Sequence, residues 1–140
     1  MKPTLVLAEW HRAQESMRAA EVLTKGGCSA DAISRTYYAV LHAAKAALYV
    51  RGVAADTHRA IRQMFGLHLI SAGEIEKSWS AHLGKGFDQR LAADYDAEIS
   101  FSEAEAIEAC RLTRRFLRRI RQYLLSKGFT PSQLRRKRRA

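Results

Sequence analysis

The stretch SRTYYAVLHAAKAAL, residues 34–48, decides the fold. Taking Arg35 as zero and turning about 100° per residue places Ile33, Tyr37, Val40, Leu41, Ala44, Ala47 and Leu48 within about 60° of the opposite direction. That is one continuous apolar face on a helix, wide enough to line a core. His42 lies seven residues after Arg35 and returns to within about 20° of it, and Tyr38 and Tyr49 fall on the same side. The helix therefore has a second face, polar and aromatic. Arginine binds phosphate bidentately, tyrosines offer stacking surfaces, and histidine exchanges a proton near neutral pH, as cleavage at a 2′-hydroxyl requires. The same spacing also fits a face that packs on another helix or a second subunit, its polar tips hydrogen-bonded.

Outward from this stretch the 140-residue chain continues as helices, with glycines as punctuation and no strand-like alternation. A first helix is expected over residues 4–25, with Ala13, Met17, Ala20 and Leu23 inward and Gly26-Gly27 as its stop. Ser29 is the expected N-cap of the second helix, which ends near Gly52. Asp56 or Thr57 caps a third, with Ile61, Phe65 and Leu69 inward and Gly73 as its stop. A fourth segment uses Ile75, Trp79, Leu83 and Phe87 and is interrupted by GKG at 84–86. Ser102 and Glu105 form a capping box for a last helix that stops at Gly128, with Glu103 and Glu108 suited to its positive end. The expected fold class is all-α, an up-and-down bundle of four to five helices over residues 1–128. Residues 129–140, a polar and basic run, are expected to be a disordered tail.

The formal net charge of +10 is unevenly placed. Residues 111–140 hold twelve Lys and Arg and no acidic residue; the first 110 hold twelve basic and fourteen acidic ones. A basic block of this kind implies a polyanion partner, RNA above all, or a solvated tail. Arg111, Arg114, Arg115, Arg118 and Arg121 share one side of the last helix, with Ala109, Thr113, Phe116, Leu117, Ile120 and Leu124 on the other. Such a row can track a phosphate backbone or be a solvated face. It would position RNA without specifying its sequence.

No apolar run reaches the roughly 20 residues that cross a bilayer, and the opening MKPTLVLAEWHR is too short a run for a signal peptide. Cys28 and Cys110 fit no CxxC pattern; reduced, buried thiols and a cytoplasmic location are expected. His11, His68 and His82 fall in no metal-ligand spacing, and GKG follows no strand, so no metal, phosphate loop or cofactor is expected. His58, beside the cap Thr57, is expected to stabilise a helix start. The run Asp94-Tyr95-Asp96 is expected to orient Arg90 through a charge-assisted hydrogen bond.

The run at 34–48, THRAIRQMFGLH at 57–68 and RLAADYD at 90–96 together resemble the HEPN (higher eukaryotes and prokaryotes nucleotide-binding) domain, in its branch of small stand-alone bacterial and archaeal proteins. The resemblance covers about residues 5–125. It implies a helical bundle that pairs as a homodimer, often working with a minimal nucleotidyltransferase, in some pairs as toxin and antitoxin. It also implies RNA or nucleotide binding. Active members resemble metal-independent ribonucleases with an Arg, four to six residues, then a His, and a cleft across the dimer. Arg35 and His42 match that spacing and would be the phosphate-holding arginine and the general acid/base, with Tyr38 or Tyr95 supporting. Thr36 stands where active relatives usually carry a residue such as Asn. In the late segment, Arg90 and Tyr95 fit the motif, but Asp94 stands about where its histidine would be. Tyr95 also matches the tyrosine that accepts transferred nucleotides in nucleotidyltransferase-paired relatives. A non-catalytic interaction subunit, its arginines facing an acidic partner, remains the competing expectation.

Overall fold

The structure, a computed structural model, describes residues 1–137, without the side chains of residues 85–87 and 91. The expected inward position of Phe87 and the end of the basic run at 138–140 lie outside the described residues. The helices are α1 (Pro3–Lys25), α2 (Ser29–Val50), α3 (His58–Phe65), α4 (Ser78–Tyr95), α5 (Glu103–Ser126) and the single turn α6 (Pro131–Leu134). Helix α3 runs on through a wide π turn, Gly66–Ile70, closed by Ser71 N–H donating to Gly66 O at 2.8 Å. No strand occurs among the described residues. The all-α bundle is as expected.

Helix α2 is the axis, with α1, α4 and α5 packed around it. Its alanines explain the closeness: Ala32, Ala39, Ala43, Ala44, Ala46 and Ala47 are all fully buried, so backbones approach without a side chain to hold them apart. Helix α1 answers with Val6, Trp10, Ala13, Met17 and Ala20 at helical spacing, and α5 with Ala106, Cys110, Phe116, Ile120 and Leu124. Trp10, Tyr37, Phe65 and Phe116 are the largest fully buried side chains, and truncating Phe116 to Ala would cost about 3–5 kcal/mol. Glu74 draws the loop before α4 against the bundle, accepting from Arg51 Nη1 at 2.9 Å and Lys127 Nζ at 3.4 Å.

Caps follow the sequence closely. Thr57 Oγ1 accepts from Ala60 N–H at 3.0 Å, and Ser102 and Glu105 complete their capping box. Gly27, Gly52, Gly73 and Gly128 all hold positive φ where helices end. Ser29 proves to be the first helical residue; Cys28 is the N-cap, without a side-chain bond.

Three further expectations are corrected. GKG does not interrupt the fourth segment, whose helical backbone runs unbroken through 84–86. A Cβ on Gly84 would stand 3.2 Å from the Arg62 guanidinium, so the missing side chain lets α3 lay an arginine on α4. Cys28 is exposed rather than buried, while Cys110 is buried as expected. The segment expected as a disordered tail is folded as far as Leu134. Phe129 and Leu134 are buried, and Thr130 and Gln133 form a second capping box. A short polar run hid two apolar anchors just past the end of α5.

Candidate groove between the first two helices

Helices α1 and α2 form a hairpin about the Gly27 turn. Glu9 and Lys45, Arg12 and His42, Ser16 and Tyr38, and Ala19 and Arg35 lie equally far from that turn along their helices. This register builds an open groove of about 420 Å³ lined by Arg12, Glu15, Ser16, Arg35, Tyr38 and His42. So the second face of α2 does two things at once. Its alanines are covered by α1, while Arg35, Tyr38 and His42 reach the groove.

His42 is fixed by α1. Its Nδ1 lies 2.7 Å from Glu9 Oε2, and Lys45 Nζ lies 3.3 Å from Glu9 Oε1. The His42 and Glu9 side chains are 23% and 19% exposed. Burial pushes the Glu9 carboxyl up, but the hydrogen bond with His42 and the charge of Lys45 outweigh it and hold it below its ordinary value. An ionised carboxylate only accepts, so Nδ1 carries the proton and donates it to Glu9. Nε2 is left as the nitrogen able to exchange a proton with a ligand. Arg35 is exposed, its guanidinium 4.6 Å from the centre of the Tyr38 ring. That cation–π contact keeps the exposed guanidinium beside the ring, with its N–H groups available to an anion.

Behind the groove a second network meets at Tyr38. Arg90 Nη2 donates to Tyr38 Oη at 2.9 Å, and Arg90 Nε lies 2.9 Å from Asp94 Oδ2, an ion pair whose N–H is not aimed at the oxygen. The expected Arg90–Asp94 pairing is therefore present as an ion pair, with Tyr38 as the aligned acceptor. Arg90 also stands 5.7 Å from the centre of the Tyr95 ring, whose residue is 74% exposed. His58 stacks on Tyr37 at 5.4 Å between ring centres, and its Nδ1 lies 3.1 Å from Tyr37 Oη. Burial, then the nearby Arg90, lower the His58 pKa, and burial pushes the Tyr37 phenol up to about 12. His58 thus does open a helix, as expected, but its ring serves this network.

The structure brings Arg35, Tyr38, His42, Arg90, Asp94 and Tyr95 into one region. It does not bring in Tyr49, three turns further along α2 and packed on the core, nor the α5 arginines. The α5 row is partly neutralised: Arg111 binds Glu108 at 2.6 Å and Arg114 binds Glu21 at 3.2 Å. Arg115, Arg118 and Arg121 are exposed, without an ion-pair partner among the described residues. Glu9 and Arg12 were missed in the sequence because their relation to His42 exists only through the hairpin register. No cluster of three metal-ligating side chains occurs among the described residues, and no described helix is long and apolar enough to cross a membrane.

The HEPN domain pattern matches residues 7–123. The chain belongs to the HEPN domain family. Among curated relatives, this HEPN chain is similar to "Putative toxin MJ0605" of Methanocaldococcus jannaschii, at 34% identity over 96 residues, 68% of this chain and 72% of the relative. It is similar to "Putative toxin MJ0142" of the same organism at 28% over 117 residues, covering 84% and 80%. It also matches "UPF0332 protein PH1297" of Pyrococcus horikoshii at 39% over 79 residues, 56% of each chain. Within the HEPN match lie the whole groove and the Arg90 network.

Proposed function

We propose that this HEPN protein binds RNA or a nucleotide in the α1–α2 groove. We place it as a homodimer acting with a minimal nucleotidyltransferase partner, as one component of a toxin–antitoxin pair. The observation that carries the binding reading is the groove itself. It places Arg12, Arg35 and the face of Tyr38 beside a histidine whose ring is fixed by a half-buried carboxylate. Arginine and a stacking ring suit phosphate and base. The toxin names of two relatives support the toxin–antitoxin setting.

The Glu9–His42 pair favours a second, catalytic reading. A carboxylate that holds Nδ1–H leaves Nε2 to take the proton from a ribose 2′-hydroxyl while Arg35 holds the scissile phosphate. The 2′-oxygen then attacks phosphorus, and the 5′-oxygen leaves with a proton. A second subunit would supply the second histidine, which is why the dimer matters to this reading.

The test is cleavage of mixed-sequence RNA in EDTA by the purified protein beside its His42→Ala variant. Cleavage lost in the variant supports the nuclease reading. RNA held without cleavage by either protein leaves binding alone. No RNA retained even at low salt removes the nucleic-acid reading. Sedimentation at micromolar protein tests the dimer, which fails if only monomer is found.

A further inference from the structure

The folded end of the chain carries a consequence for the groove. Leu134 is fully buried, and its carbonyl accepts two hydrogen bonds from α1, Trp10 Nε1–H at 2.9 Å and Gln14 Nε2–H at 2.9 Å. The Thr130–Gln133 capping box turns the chain immediately before it. The point at which the basic run leaves the bundle is therefore fixed on the surface of α1, not set by a flexible linker.

Beyond that point Arg136 and Lys137 stand with His11 and Arg18 around an open notch of about 530 Å³. Glu15 and Ala19 line this notch and also line the α1–α2 groove, so the two depressions share one wall on α1. The charges are nearly of one sign. Arg18, Arg136 and Lys137 lie on one side of the wall and Arg12 and Arg35 on the other. Glu15, between them, is 3.9 Å from Arg12 in an ion pair.

We propose that the anchored C-terminal run is the second wall of the RNA site. An RNA backbone would pass from the groove over the Glu15–Ala19 ridge into the notch, where Arg136 and Lys137 hold its phosphates. Arg138 and Arg139 follow in sequence. The inference rests on the RNA reading above and extends it from one nucleotide's width to a strand that crosses α1. Continuity with the groove favours this occupant, because a single-stranded polyanion is the partner that fills two adjoining basic depressions at once. Anchoring matters because a tail already placed loses less freedom on binding than a free polycation does.

The experiment is a fluorescence anisotropy titration of the full chain with a labelled 2′-O-methyl RNA of about 20 nucleotides, which cannot be cut at the 2′-hydroxyl, across a salt series. One variant, Arg136→Gln with Lys137→Gln, removes two charges. The other inserts a Gly-Ser stretch after Leu134, which keeps every charge and the anchor but displaces the basic run; thermal melts show that both variants fold. The charge variant is expected to bind about tenfold more weakly, with its log–log salt slope reduced by about 1.4, two single-strand phosphate contacts. The insertion variant is expected to lose about fivefold at unchanged charge. The proposal holds only if both weaken binding. An insertion variant that binds like the wild type makes the run a tethered polycation, and a charge variant that binds like the wild type takes the run out of the site. No binding by the wild type at about 50 mM salt removes the RNA reading itself, and this inference with it.

Discussion

Two regions of this molecule are rich in arginine, and they are built differently. On α5, arginines follow one another at helical spacing: Arg111, Arg114 and Arg119 are met by Glu108, Glu21 and Glu76, while Arg115, Arg118 and Arg121 face water. In the α1–α2 groove there are fewer charges, and apart from the exposed Arg12 they are held: Arg35 by the Tyr38 ring, His42 by Glu9, and Tyr38 in turn by Arg90. Number of charges marks the first region and fixed geometry the second. A solvated side chain must be ordered when it binds, whereas a preorganised one has already lost that freedom in folding. The groove is thus the stronger candidate for chemistry, and the α5 row for long-range attraction of a polyanion.

The widest gap is expected in RNA affinity. Arg12→Ala with Arg35→Ala should weaken binding about thirtyfold, since each charge-assisted contact is worth about 1.5–3 kcal/mol less any screening. Arg115→Ala with Arg118→Ala should cost less than about threefold, at the same loss of charge. Anisotropy at matched salt measures both, and the opposite order would break the comparison. Stability comes next. Glu9→Gln leaves the half-buried His42 without its anion and Lys45 with Asp56 alone, and should lower unfolding free energy by about 1–2 kcal/mol. Glu108→Gln, on an exposed pair, should cost under about 0.5 kcal/mol. Urea denaturation of the two variants reads the difference. Tyr38→Phe removes one hydrogen bond from Arg90 and should cost about 1 kcal/mol by the same assay, with RNA affinity falling further than stability predicts.

The smallest effect is the pH profile. The Glu9 carboxyl sits below its ordinary value in the fold, so its contribution is complete above 4.5 and is lost as pH falls through the depressed value. His58 is also depressed, from 6.5, by burial and then by Arg90, so the folded chain favours its neutral ring. Its contribution is complete above 6.5 and is lost as pH falls through its lowered value. Thermal melts from neutral to acid should therefore show a decline in two parts. Glu9→Gln should flatten only the more acidic part, and His58→Gln the other.

How much of this was legible in the sequence depended on how local the determinants are. The core faces of α2 and α5, the Thr57 cap, the Ser102–Glu105 box and the glycine stops follow from spacings of a few residues, and each is present. The stripe Arg35–Tyr38–His42 was visible for the same reason. Its meaning was not, because Glu9 and Arg12 come from the other arm of the hairpin, and Arg90 from fifty-two residues beyond Tyr38. GKG misled because glycines that usually break helices here make room for Arg62. The tail misled because Phe129 and Leu134 are too few for any periodic signal, and the Leu134 carbonyl is met by Trp10 and Gln14, more than a hundred residues earlier.

The hairpin register has a consequence for how the molecule assembles. Everything that shapes the groove, from Glu9 to Lys45, lies within the first fifty residues and closes about one turn at Gly27. Contacts of low contact order form early, because little loop entropy is lost in making them. The groove should thus exist in the folding nucleus before α4 delivers Arg90 or the last turn locks onto Trp10. In that order the groove is completed first and its supports arrive afterwards. Amide exchange should rank the protection of α1 and α2 above that of α4 and α6.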